Sequence, residues 1–166
     1  MLRNILIYIF LAFGSLIYSQ KLTKYQSSYN LNITKESARN DNFSFGIETS
    51  QGIKVLRYFV ISANISLNKF SNLDKYFLPF KGEIKWYYNE VGEEFANPYL
   101  FLNAGPNIKL GDRFADGTSA SLGIGVNFEL GKNIYNLCIY RSSQSFYLSN
   151  ESYEIESFGL SLGINF

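Results

Sequence analysis

From Ser157 to Phe166 the chain alternates without a fault. Phe158, Leu160, Leu162, Ile164 and Phe166 are large and apolar, while Ser157, Gly159, Ser161, Gly163 and Asn165 are small or polar. A period of two marks a β-strand with one greasy face and one small polar face. Such a segment cannot bury itself as a helix, and it demands a sheet whose two sides meet different surroundings.

Seven earlier segments carry the same signal, which predicts an all-β chain of eight antiparallel strands. Strand 1, about Leu22 to Thr34, sets Tyr29, Leu31 and Ile33 against Ser28, Asn30 and Asn32. Strand 2 sets Phe43, Phe45 and Ile47 against Ser44, Gly46 and Glu48, with a turn expected from Ser50-Gln51-Gly52. Strand 3 sets Phe59, Ile61, Ala63, Ile65 and Leu67 against Val60, Ser62, Asn64, Ser66 and Asn68. Strand 4 sets Leu78, Phe80, Ile84, Trp86 and Tyr88 against Lys81, Glu83, Lys85 and Tyr87. In strand 5 Leu100, Leu102, Ala104 and Ile108 alternate with Asn103, Gly105, Asn107 and Lys109, and Pro106 predicts a bulge. Strand 6 sets Ala120, Leu122, Ile124, Val126, Phe128 and Leu130 against Ser119, Ser121, Gly123, Gly125, Asn127 and Glu129. Strand 7 sets Tyr135, Leu137 and Ile139 against Asn136, Cys138 and Tyr140.

Periodicity alone leaves open which face is inside. A soluble lipocalin-like barrel would turn the apolar face inward around a hydrophobic ligand; a membrane barrel would turn it to lipid. The polar face here is built of Ser, Asn and Gly and not of the Lys, Glu and Asp that coat soluble exteriors, which favours the membrane arrangement. Glu48, Lys81, Glu83, Lys85, Lys109 and Glu129 then point into the lumen as a candidate charge network. An eight-stranded barrel is just wide enough to be filled by side chains, so mutual pairing of three acids with three bases predicts a plug. The alternative for these charges is a narrow ion path.

If strand 1 rises from the periplasm, the connections after strands 2, 4 and 6 should be short. Gly131-Lys132-Asn133 fits, whereas Asn89 to Asn97 is long. The external loops would be Lys35 to Asn42, Lys69 to Asp74, Leu110 to Gly117 and Gln144 to Ser152. This topology gathers Trp86, Tyr88, Phe128, Tyr135 and Phe166 into a candidate periplasmic aromatic girdle.

The chain opens with Arg3, an apolar run from Ile5 to Ile17, and Tyr18-Ser19-Gln20. This is signal-peptide anatomy, too short for a membrane-spanning helix, and predicts cleavage that leaves residues 20–166 as one domain after a leader of residues 1–19. Without Arg3, acidic and basic residues are equal in number, which argues against a nucleic-acid partner. Mean hydropathy near zero with 17% aromatic residues suits a barrel, whose alternating faces average out.

The whole mature chain resembles the small outer-membrane β-barrels abundant in Bacteroidota, including the PorT-type and related eight-stranded families. The resemblance rests on Tyr18-Ser19-Gln20, the eight alternating segments, the Gly-containing strand Ala120 to Leu130, and the ending Gly159 to Phe166. It implies a Gram-negative outer-membrane location. It also makes Phe158, Leu160, Leu162, Ile164 and Phe166 the candidate signal read by the barrel-assembly machinery. It transfers no active site.

No enzyme is expected. The chain has no histidine, so histidine-dependent triads and metal sites are excluded, and a single cysteine, Cys138, cannot form an internal disulfide. Ser142, Ser143 and Ser145 read as loop residues, Gly123-Ile124-Gly125 as strand and not phosphate loop, and Asn150-Glu151-Ser152 as a sequon without meaning in most hosts. No cofactor, catalytic residue or metal ligand is assigned. The expected protein is a monomeric eight-stranded up-and-down transmembrane barrel in outer-membrane lipid. Its loops would contact an external ligand or protein, and the alternatives are a narrow channel or secretion accessory and a soluble lipid-binding barrel.

Overall fold

The computed structural model describes residues 25–37, 43–71, 76–90, 95–110, 116–148 and 151–166. The expected leader lies outside the described residues. Eight strands follow one another: β1 (Tyr25–Glu36), β2 (Phe43–Leu56), β3 (Phe59–Phe70), β4 (Tyr76–Tyr87), β5 (Ala96–Leu110), β6 (Asp116–Leu130), β7 (Asn133–Leu148) and β8 (Glu151–Asn165). Each pairs antiparallel with the next and β8 pairs with β1, so the sheet closes on itself and leaves no edge. An even strand count brings Tyr25 and Phe166 to one end of the barrel, here called the terminal end. Ser27 and Phe166 exchange both backbone hydrogen bonds there, at 3.1 and 2.8 Å.

The polarity of the barrel is inverted relative to a soluble one. Leu31 (63% exposed), Leu122 (61%) and Leu162 (51%) stand on the outer face, whereas Asn64 and Ser66 (each 1%) fill the inside. The lipocalin-like alternative, with apolar residues inward, is therefore not the arrangement adopted. Among the described residues no helix is long and apolar enough to cross a membrane, a statement that does not bear on strands.

Several expected boundaries move. Ser50-Gln51-Gly52 is not a turn; β2 runs through it in unbroken register with β3, and the chain reverses at Arg57-Tyr58 after an irregularity between Lys54 and Leu56. Pro106 makes no bulge. It pairs in register with Thr118, and the β4–β5 ladder merely skips the rungs between Pro79↔Asn107 and Gly82↔Ala104 without shifting, because a proline nitrogen has no hydrogen to donate. The expected loop Gln144 to Ser152 is mostly strand, since β7 and β8 remain paired out to Leu148↔Glu151. Tyr88 lies past the end of β4.

The terminal-end connections show how the turns are made. Gly131 adopts φ +68° in the Gly131-Lys132 reversal, a conformation that glycine takes without cost. The longer link after β4 is tied down by Asn97, whose Oδ1 accepts from Asn89 N–H at 3.1 Å and whose Nδ2 donates to the carbonyls of Asn89 and Glu90.

Candidate functional site

Among the described residues, buried charge is found in the lumen. Lys81 Nζ lies 2.8 Å from Glu48 Oε2, and Lys85 Nζ lies 3.2 Å from Glu83 Oε1. Glu83 also accepts from Ser62 Oγ at 2.8 Å and from Asn103 Nδ2 at 3.4 Å. Alternation along β4 turns Lys81, Glu83 and Lys85 inward as consecutive luminal positions, and β2 and β3 supply Glu48 and Ser62. Four of the six expected charges thus form two neutral pairs.

The other two do not join them. Glu129 is exposed near the end of β6, where its N–H donates to Phe95 O, because the strand has already left the barrel interior. Lys109 stands opposite Phe77 in the ladder, and its side chain falls outside the described residues.

Aromatic packing inside the lumen was not foreseen. Val60, Tyr87, Tyr99, Phe101 and Cys138 form a buried cluster with Tyr140 against it, on the terminal side of the ion pairs. Ring centroids are 5.3 Å apart for Tyr87–Tyr99 and 6.2 Å for both Tyr99–Phe101 and Phe101–Tyr140. Lys85 Nζ sits 5.5 Å from the centre of Tyr99, a cation–π contact joining cluster to charges. Glycines make room for these rings: a Cβ on Gly125 would lie 2.5 Å from Tyr99 Oη, and one on Gly159 would lie 2.2 Å from Tyr140 Cζ. Glycines opposite aromatics are a signal visible only once the register is known.

A second buried cluster, Phe70, Phe77 and Ile155, lies toward the far end, with Phe70 and Phe77 edge to face at 5.3 Å. A luminal cavity bounded by Glu48, Lys81, Glu83, Lys85, Asn103 and Tyr140 measures about 30 Å³. That is room enough for ordered water among polar partners.

The remaining expected residues lie on the outer face. Phe158, Leu160 and Leu162 are exposed along β8, Ile164 is partly covered and Phe166 is exposed. Of the expected girdle, Phe128 and Tyr135 stack at 5.9 Å across β6 and β7, Phe166 meets Tyr29 edge-on at 6.0 Å, and Trp86 and Tyr88 are exposed at the terminal end. Among the described residues no group of His, Cys, Asp and Glu is placed to hold a metal ion.

No protein-family model matches the sequence, and no curated protein matches it either. Solved structures match the fold. Neisserial surface protein A is similar over 86% of this chain and 95% of its own, at 16% identity and a TM-score of 0.63. The N-terminal β-barrel domain of Pseudomonas aeruginosa OprF is similar over 85% and 97%, at 12% identity and a TM-score of 0.54. The outer membrane protein OprG from the same organism is similar over 87% and 95%, at 9% identity and a TM-score of 0.53. The fold is that of the eight-stranded outer-membrane β-barrels.

Proposed function

We propose that this chain is an integral outer-membrane protein of the small Bacteroidota type related to PorT-like barrels, exported with a cleaved leader. It acts as a monomeric structural or interaction protein through the far-end connections and carries no enzymatic activity. The inversion of burial carries this reading. A belt of exposed Leu, Ile and Phe around a closed sheet would aggregate in water, whereas in lipid it is the solvated face and closure leaves no unpaired sheet edge. The terminal end, with the two-residue reversals after β2 and β6 and the aromatic belt, faces the periplasm.

The lumen is read as plugged. A cavity of about 30 Å³ admits water but no hydrated ion, and the buried charges are already paired with one another. The channel alternative would need at least one uncompensated luminal charge along an open path. Planar-bilayer recording of the refolded chain, together with fractionation and heat-modifiable gel migration, tests the reading. Membrane recovery, heat-modifiable migration and no stable conductance steps are expected. Recovery in the soluble fraction, or discrete steps in wild type, overturns it.

A further inference from the structure

The outer belt is not equally tall around the barrel. On β6 the outward positions Ala120, Leu122, Ile124, Val126, Phe128 and Leu130 are all apolar. At ~3.3 Å per residue and a tilt of ~45°, this stripe is ~23 Å high, close to the ~25 Å band of an outer-membrane barrel. On β7 the apolar stripe is only Tyr135, Leu137 and Ile139 before Arg141, and on β1 only Tyr29, Leu31 and Ile33 before Lys35. Each of these is ~9 Å high by the same geometry.

The two short stripes flank β8, and the cations that end them share a line. Lys35 and Arg141 both stand opposite Phe158 in the ladders, one on each side. On the β6 side Arg141 faces Leu122, a residue within the tall apolar stripe, so its guanidinium emerges at a depth where its neighbour meets acyl chains. Beside and below the cations, Leu122, Ile33, Ile139 and Leu160 wall an apolar groove on the outer face.

We propose that this seam binds an anionic lipid of the outer leaflet, with its headgroup phosphate between Lys35 and Arg141 over Phe158 and an acyl chain in the groove below. Local charge favours it. Arg141 is partnered by Glu156 at 2.6 Å, Glu154 accepts from Ser143 Oγ further toward the far end, and Lys35 Nζ lies 5.9 Å from the Phe43 ring centre with no carboxylate partner among the described residues. One positive charge in the Lys35, Arg141 and Glu156 group is left for a phosphodiester. The short stripes let a headgroup descend to that level, because lipid thins beside a short apolar face. An arginine in the lipid-facing band is otherwise costly.

The proposal rests on the outer-membrane reading, and its test separates the two. The full mature chain is refolded into phosphatidylcholine bilayers containing a minority of phosphatidylglycerol, and the relative association of spin-labelled phosphatidylglycerol and phosphatidylcholine is measured. Wild type is expected to prefer phosphatidylglycerol at least threefold, and Lys35→Gln/Arg141→Gln to fall to about equal association while keeping heat-modifiable migration. Lys35→Arg should retain the preference and Glu156→Gln should raise it. Equal association in wild type, or a preference unchanged in the double variant, overturns the lipid site and leaves the membrane reading standing. Loss of the preference on adding glycerol phosphate overturns it in favour of a soluble-anion site. Failure of wild type to insert at all overturns both.

Discussion

Lys81 on β4 reaches past β3 to place its ammonium 2.8 Å from the Glu48 carboxylate on β2. The two side chains keep only 9% and 10% exposure, so removing one partner strands a charge with little access to water. Lys81→Met is expected to lower the unfolding free energy by about 3–5 kcal/mol. Pairing it with Glu48→Gln should recover much of that loss, because the amide replaces the stranded charge. Urea titration of the refolded barrel, followed by heat-modifiable migration, measures both. A single variant as stable as wild type would show that Glu48 does not depend on this pair.

Strands β3 and β8 were legible in the sequence because polarity and direction coincide: every outward residue from Phe59 to Leu67 is apolar, and nearly every inward one is small and polar. Where the two part company the strand hides. The second half of β2 places Thr49 and Gln51 outward, where Gln51 Nε2 donates to Ser27 Oγ and Thr49 Oγ1 and the Tyr25 hydroxyl donates back to Gln51, so polarity no longer alternates and the segment looks like a turn. The upper half of β7 hides likewise, with Arg141 and Ser143 outward and Ser142 and Gln144 inward. Strand parity found Glu48, Lys81, Glu83 and Lys85, but it also pointed to Glu129, which is exposed. Pairing of the luminal charges was expected, but which base meets Glu48 was not legible, since Lys81 and Glu48 sit on strands that are not neighbours. The aromatic closure was missed because Tyr99 and Phe101 are apolar residues on the polar face, and only the register shows the glycines that admit them.

Tyr87 ties the terminal closure to the polar rim. Its hydroxyl oxygen accepts from Gln26 Nε2 at 3.4 Å and from Asn127 Nδ2 at 3.2 Å, while the ring is 1% exposed. Tyr87→Phe keeps the ring packing and leaves two amides without their acceptor. Both amides are half-buried and can turn to water, so the expected cost is about 0.5–1.5 kcal/mol, the net worth of an ordinary hydrogen bond. Equilibrium unfolding checks it, and planar-bilayer current through the variant should stay at baseline because the plug is steric.

Gly163 is a test of how full the barrel is. Asn136 Nδ2 donates to Asn30 Oδ1 at 3.0 Å and to Asn165 Oδ1 at 3.1 Å, and a Cβ on Gly163 would fall 1.9 Å from Asn30 Oδ1 and 2.6 Å from Asn136 Nδ2. Gly163→Ala must therefore break this amide ladder or spread β7 and β1. A loss of about 1–3 kcal/mol is expected from the overpacking. Gly131→Ala offers a contrast, since nothing lies within 4 Å of its Cβ and only the φ of +68° resists the change. A loss at Gly163 no larger than that at Gly131 would mean that the lumen has slack.

Closure of the barrel depends on the meeting of its first and last strands. Phe166 exchanges two backbone hydrogen bonds with Ser27 and presents its ring edge-on to Tyr29 at 6.0 Å, so its side chain covers the join from the outer face. Phe166→Ala leaves the backbone bonds available and removes only the ring. The folded barrel should lose about 0.5–1.5 kcal/mol of aromatic pairing beyond the area lost. If the alternating segment Phe158 to Phe166 is also what the assembly machinery reads, yield in the membrane should fall far more than this, with export unchanged and precursor cleavage complete. Tyr29→Ala removes the other ring of the same contact and separates the two effects. Equal membrane yields for the two variants would assign Phe166 to packing alone, whereas a deficit confined to Phe166→Ala would assign it to recognition during assembly.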